Sequence, residues 1–165
     1  MALVDALLPE FDHEMTMTRK VLERVPDDKG DWKPHPKSYS LGTLATHIAN
    51  LPTWGSETLN RSEIDVGGTP PLPALPSRSE ILATFDRNVA AARAALSGKT
   101  DAELAAMWSL RRSGKTLFSM PKSTVWRSFV VSHLIHHRAQ LTVYLRLLDV
   151  PVPALYGPSA DEPAF

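Results

Sequence analysis

Three of the chain's six histidines, His133, His136 and His137, fall within five positions of the stretch "VVSHLIHHRAQLTVYLRLLDV". The stretch otherwise reads as an apolar helix. Imidazole is the commonest metal-ligating side chain and the one that titrates nearest neutrality. The i, i+4 spacing of His133 and His137 leaves their rings about 40° apart around a helix and one turn along it. Both can then reach one ion at about 2.0–2.1 Å. His47, in "LGTLATHIANLPTW", shares a stripe with Leu44, Leu51 and Trp54 and is expected to point inward as well. Three neutral imidazoles from two helices would leave coordination positions open for water or substrate, as a catalytic metal requires. The pair alone leaves two readings open: a metal site, or buried imidazoles satisfied within a helical core. His136 lies about 60° from His133, on the side away from His137. It is read first as a polar residue at a subunit interface, with a ligand or a ligand-supporting group as the alternatives. Gln140 and Arg138 are placed to orient ligands or to serve as ordinary polar flanks. Asn50, one turn after His47, is a candidate hydrogen-bond partner at the site, and Trp54, Tyr144 and Tyr156 are candidate pocket walls. His13 and His35 read as solvated or locally bonded rings.

Other chemistries fit less well. The chain has no cysteine, which removes disulfides, a thiolate nucleophile and any Cys-based zinc or iron-sulfur site. A zinc-protease helix needs Glu directly after its first His, where this chain has Leu134. A ferritin-like di-iron site needs Glu-x-x-His pairs, and none is present. No phosphate-binding Gly loop and no Gly-x-Ser-x-Gly elbow occurs. Eighteen basic residues balance eighteen acidic ones, which argues against nucleic acid or an anionic membrane as the main partner. The N-terminus lacks the basic start of a signal peptide, and no window approaches the ~20 apolar residues of a membrane span. A cytoplasmic protein is expected.

Several helices must carry these residues. Val4, Leu8, Phe11, Met15 and Leu22 recur at three- and four-residue spacing, predicting a helix from Ala2 to about Val25 that Pro26 ends. A loop follows, with Trp32 and Tyr39 as anchors. Ser40 suits the N-cap of a second helix to about Asn60, which Pro52 should kink or interrupt. The Pro/Gly stretch "VGGTPPLPALP" is long enough to cross over the molecule. Ser77 and Glu80 have capping-box spacing for a third helix that stops at Gly98, and Thr100 and Glu103 repeat it for a short helix ending near Trp108. A small hairpin would turn at Ser113-Gly114. The last helix is expected from Ser123 to Leu148, with Trp126, Val130, His133, His137, Gln140, Tyr144 and Leu147 as the stripe facing its partners. Residues 149–165 hold four prolines and read as an extended tail. The 165 residues are expected to form one all-α domain, a four-helix bundle with a long crossover.

Taken in order, "LGTLATHIANLPTW", "SHLIHHRAQLTVYLRLLDVPVP" and "ALYGPSADE" resemble the DinB-like (DinB/YfiT-like) family of metalloenzymes, over almost the whole chain. The resemblance implies an up-down-down-up four-helix bundle, usually a homodimer, with a divalent metal, commonly zinc or nickel, on three histidines. Carried over residue by residue, those are His47, His133 and His137. Characterised members include transferases that join a low-molecular-weight thiol to an electrophile and a thiol-dependent isomerase, so a thiol S-transferase acting on a small-molecule substrate is the implied function. A metal-dependent hydrolase, or a non-enzymatic dimer that binds a ligand or partner, are the alternatives.

Overall fold

The computed structural model describes residues 2–68, 73–74 and 77–163. Four long helices account for most of them: α1 (Leu3–Leu22), α2 (Leu41–Asn60), α3 (Arg78–Leu96) and a composite last helix. The last helix runs end to end through α5 (Lys122–Val125), a wide π-helical segment (Trp126–Ser132) and α6 (His133–Leu147). α2 packs on α3, α3 on α1, α1 on α6 and α6 on α2. The core between them is built from residues such as Phe11, Leu44, Ile48, Phe85, Trp126 and Leu141. The fold is mostly helical, as expected, and the hairpin belongs to a slightly larger sheet. A three-stranded sheet of β1 (Glu63–Asp65), β2 (Met107–Arg112) and β3 (Lys115–Pro121) stands beside the helices. Among the described residues no helix is long and apolar enough to cross a membrane.

Local chemistry explains the boundaries. The Ser40 hydroxyl accepts from the Thr43 N–H and caps α2, and the Ser77 hydroxyl does the same for α3 from Glu80. Thr100 and Glu103 form a full capping box on α4 (Asp101–Ala105), which ends sooner than the spacing predicts because Met107 already belongs to β2. No interruption occurs at Pro52. It is buried inside a continuous α2, where packing offsets the ~3 kcal/mol that a proline costs a helix interior. Gly55 permits a close approach of helices: a Cβ there would lie 2.8 Å from Trp126 Cζ3 and 3.3 Å from Ala92 Cβ. Most of the Pro/Gly connection at 66–76 lies outside the described residues.

The hairpin turns where the sequence predicts, with Ser113 at φ 50° and Gly114 at φ 79°, the two positive values of a type I′ turn. The unforeseen strand is β1, which pairs parallel to β2. Asp65 fixes it there, its carboxylate accepting from the N–H groups of Gly67, Ser113 and Gly114 at 2.7–2.8 Å. Lys122 Nζ donates to the Leu59 carbonyl at 2.9 Å and ties the end of the hairpin to the end of α2. The tail also departs from expectation. It folds back as a strap, with Arg146 on Asp161 and Arg24 on Glu162, both at 2.5 Å, while Val152 and Leu155 pack on the core.

The last helix buries a different stripe from the predicted one. Trp126 and Val130 are buried as expected, but the core face then continues through Leu134, Arg138, Leu141 and Leu145. Four-residue steps predominate along that line, and an α-helix would carry it off the core by about 100°. The wide turns of the π segment absorb one extra residue and hold the line straight. His133 and His137 are thereby rotated away from the core centre and are only partly buried.

Candidate metal centre

His47 on α2 meets His133 and His137 on α6 at the flank where these two helices touch. One ring nitrogen of each lies within 4.8 Å of the others. The ring of His47 stands edge-on to both partners, with centroids 5.3 Å from His133 and 4.6 Å from His137. The Nε2 atoms of His133 and His137 are 2.9 Å apart. Gln140, one turn on, places its Oε1 2.7 Å from Nδ1 of His137. That oxygen can only accept, so Nδ1 carries the proton and the Nε2 lone pair of His137 faces His133. His133 in turn bonds the backbone of Phe129.

The electrostatics favour neutral rings. Burial, followed by the neighbouring imidazoles of His137 and His133, holds the His47 pKa down to about 4. Burial also lowers His133, with His137 adding to the effect and the Phe129 bond opposing it. His137 is lowered by burial against the opposing Gln140 bond. All three therefore offer lone pairs at neutral pH, as ligation requires. Tetrahedral zinc at about 2.0–2.1 Å would set its ligand nitrogens about 3.3 Å apart, so rotations of a few tenths of an ångström to about 1.5 Å bring these nitrogens onto one ion. The donor set fits a borderline divalent metal, and among the described residues no carboxylate joins the three imidazoles.

A model of the DinB superfamily matches residues 10–141. The chain belongs to the DinB superfamily. The uncharacterized protein YrdA of Bacillus subtilis (strain 168) is similar to it, with 23% identity over 163 residues, covering 96% of this chain and 91% of YrdA. A crystal structure of a DinB-like protein from Bacillus cereus ATCC 10987 superimposes with a TM-score of 0.73 at 27% identity, covering 92% of this chain and 97% of that one. The DinB-like protein YjoA of Bacillus subtilis shares the fold at a TM-score of 0.67 and 16% identity, covering 89% of this chain and 96% of YjoA.

Around the imidazoles of this DinB-superfamily chain the other singled-out residues are distributed unevenly. Trp54 lines an apolar pocket of about 110 Å³ with Trp108, Leu110, Phe118 and Phe129, and His47 and His133 close one end of it. His136 is exposed, its ring edge-on to that of His137 with centroids 5.0 Å apart, and lies outside the three-histidine group. Asn50 donates to the Thr46 carbonyl at 2.9 Å and faces Asn88 of α3, beside a separate cavity of about 360 Å³. Tyr144 donates to the Tyr39 carbonyl at 3.2 Å and packs its ring against Trp32. Tyr156 bonds Glu14 at 2.6 Å and lies under the guanidinium of Arg138. Arg138 itself is buried and pairs with Glu14 of α1 at 2.7 Å, so it anchors α6 from the core side. The pocket residues of the hairpin were missed from sequence. Trp108 and Leu110 alternate onto one face of β2, but only pairing shows that Phe118 lies opposite Leu110. Phe129 carried a local signal, standing one turn before His133.

Proposed function

We propose that this chain is a metal-dependent enzyme in which His47, His133 and His137 hold a divalent ion, zinc or nickel, and that its reaction joins a low-molecular-weight thiol to an electrophilic small molecule. The supporting observation is the convergence of three neutral imidazoles, without a fourth protein ligand among the described residues, beside an apolar pocket. An ion bound there supplies positive charge that lowers the pKa of a cosubstrate sulfur, making thiolate available at neutral pH to a chain that has no cysteine of its own. The protein's own groups do the rest. Gln140 holds the Nδ1 proton of His137 and so presents the opposite nitrogen. Trp54, Trp108 and Phe118 keep water from one side of the centre, and low local polarity strengthens every charge interaction there.

The proposal includes the four long helices as an up-down-down-up bundle and a cytoplasmic homodimer. On α6, His136, Val143 and Leu147 share one stripe, with Val143 56% and Leu147 58% exposed, and a second copy would cover it. Light scattering should give twice the chain mass. The deciding experiment is elemental analysis of protein purified without an affinity tag, beside His133→Ala. About one metal per chain, lost in the variant, is expected, followed by metal-dependent consumption of a thiol with monobromobimane that His137→Ala abolishes. Absence of metal even after incubation with zinc or nickel, or no turnover across several thiols, overturns the proposal.

A further inference from the structure

The pocket beside the imidazoles has a chemistry of its own. Its walls come from three separate elements: Trp54 from α2, Trp108, Leu110 and Phe118 from the hairpin, and Phe129 from the π segment. The aromatic rings form a connected wall. Trp54 meets Trp108 edge-on at 6.5 Å, Trp108 meets Phe118 at 6.3 Å, and Phe118 stacks on Phe129 at 5.0 Å with 19° between planes. No lining residue carries a charge. Strand alternation sends Arg111 to the other face, where it pairs with Glu63 at 3.1 Å. Protein interiors leave few gaps of this size, because an unfilled one forfeits contacts on every side. Here the gap adjoins the one cluster of metal-ligating side chains among the described residues, and such juxtaposition is where ligand sites are built.

Resting on the function proposed above, we propose that this pocket binds an uncharged planar group, one aromatic or heteroaromatic ring, carried by the substrate that reacts at the three-histidine centre. A volume of about 110 Å³ is somewhat below the ~150 Å³ of an apolar cavity known to take benzene, and the end at His47 and His133 gives the ring's substituent an exit toward the imidazoles. A charged group is excluded from among the rings, since a carboxylate seated there loses its hydration and gains no counter-charge; only with an ion held at the imidazole end would it find one. The hairpin is therefore a specificity element: Leu110 and Phe118 set how large a ring can enter.

Saturation-transfer NMR with benzyl alcohol and benzoate, on the protein as purified and after metal removal with a chelator, tests this. Eight heavy atoms in a preformed apolar site support a Kd of about 1 mM or below for benzyl alcohol, with benzoate at least about tenfold weaker on the metal-free protein. Leu110→Trp fills the pocket and should weaken benzyl alcohol at least about tenfold. Should that variant not fold, Phe118→Ala, at a partly exposed strand position, removes the stacking wall and should weaken it severalfold. Saturable binding to a protein that holds no metal as purified and takes none up on incubation with zinc or nickel supports the pocket and overturns the metal reading; saturable binding that merely survives the chelator supports the pocket. Metal bound with no benzyl alcohol binding to about 20 mM, or benzoate binding the metal-free protein equally well, overturns the pocket and leaves the metal reading standing.

Discussion

Removing the carboxylate from Glu14 should destabilise the protein more than most single changes, and removing its partner as well should restore it. Arg138 is 1% exposed and Glu14 7% exposed, and Arg138 Nη2 lies 2.7 Å from Glu14 Oε2. The Tyr156 hydroxyl donates to the same carboxylate oxygen at 2.6 Å. In Glu14→Met the guanidinium stays buried with no counter-charge, and breaking such a pair costs about 3–5 kcal/mol. The lower end applies, because Arg138 keeps the Glu14 backbone carbonyl at 3.0 Å and the Thr18 hydroxyl at 3.2 Å. At about 2–4 °C per kcal/mol for a chain of this size, ~3 kcal/mol lowers Tm by about 6–12 °C. Glu14→Met with Arg138→Met replaces both charges by apolar groups of similar reach and should return to within about 1 kcal/mol of wild type. Urea and thermal denaturation of the four proteins measure this directly. A loss under about 1 kcal/mol in Glu14→Met, or a double variant no better than the single, would show that the pair is solvated in solution and refute the reasoning.

Three further outcomes are expected. In metal-free protein, His47 takes its proton near pH 6.5 when unfolded and near 4 when folded, so the unfolded state binds more protons between those values and stability falls as pH is lowered through them. The drop is at most about 3 kcal/mol, and about 1–2 kcal/mol once solvent screening of the partly exposed ring is allowed for; His47→Gln should flatten ΔG against pH in that window, and an unchanged slope contradicts the assignment. Gln140→Leu should weaken zinc binding about 10–100-fold without changing the ligand count, as read by chelator competition, because the His137 proton is no longer held on Nδ1. Gly55→Ala should cost about 1–3 kcal/mol, measured in urea, since the new methyl meets Trp126 at 2.8 Å; a neutral result means the indole shifts freely.

The three clustered histidines were legible because each sits on a helix whose local period is strong, and because helix geometry alone makes i, i+4 rings neighbours. Their degree of burial was not. It depends on the π segment at 126–132, and hydrophobic spacing cannot tell a straight helix with a drifting stripe from a widened helix with a fixed one. The hairpin was legible from Ser113-Gly114, whereas β1 was hidden because three residues give no alternation to read, and their pairing depends on Asp65 reaching across 48 positions to Ser113. From sequence Tyr156 reads as a pocket wall, and the strap formed by the tail delivers it instead to Glu14. A long-range ion pair such as Arg24 with Glu162 leaves no mark in either segment alone.

The widened turn makes this centre sensitive to chain length rather than to side-chain identity. Relaxing 126–132 to an α-helix without losing a residue would turn everything after it by about 100°. Trp126 and Val130 would then continue into His133 and His137 as the core-facing line, while Leu134, Arg138 and Leu141 swung outward. All three histidines would still be present, yet two of them would sit in the interior with a buried cation expelled to the surface. Deleting one residue from 126–132 removes the extra residue that the wide turns absorb and leaves Leu134, Arg138 and Leu141 on the core, so chain length and turn width must change together for the centre to keep its place.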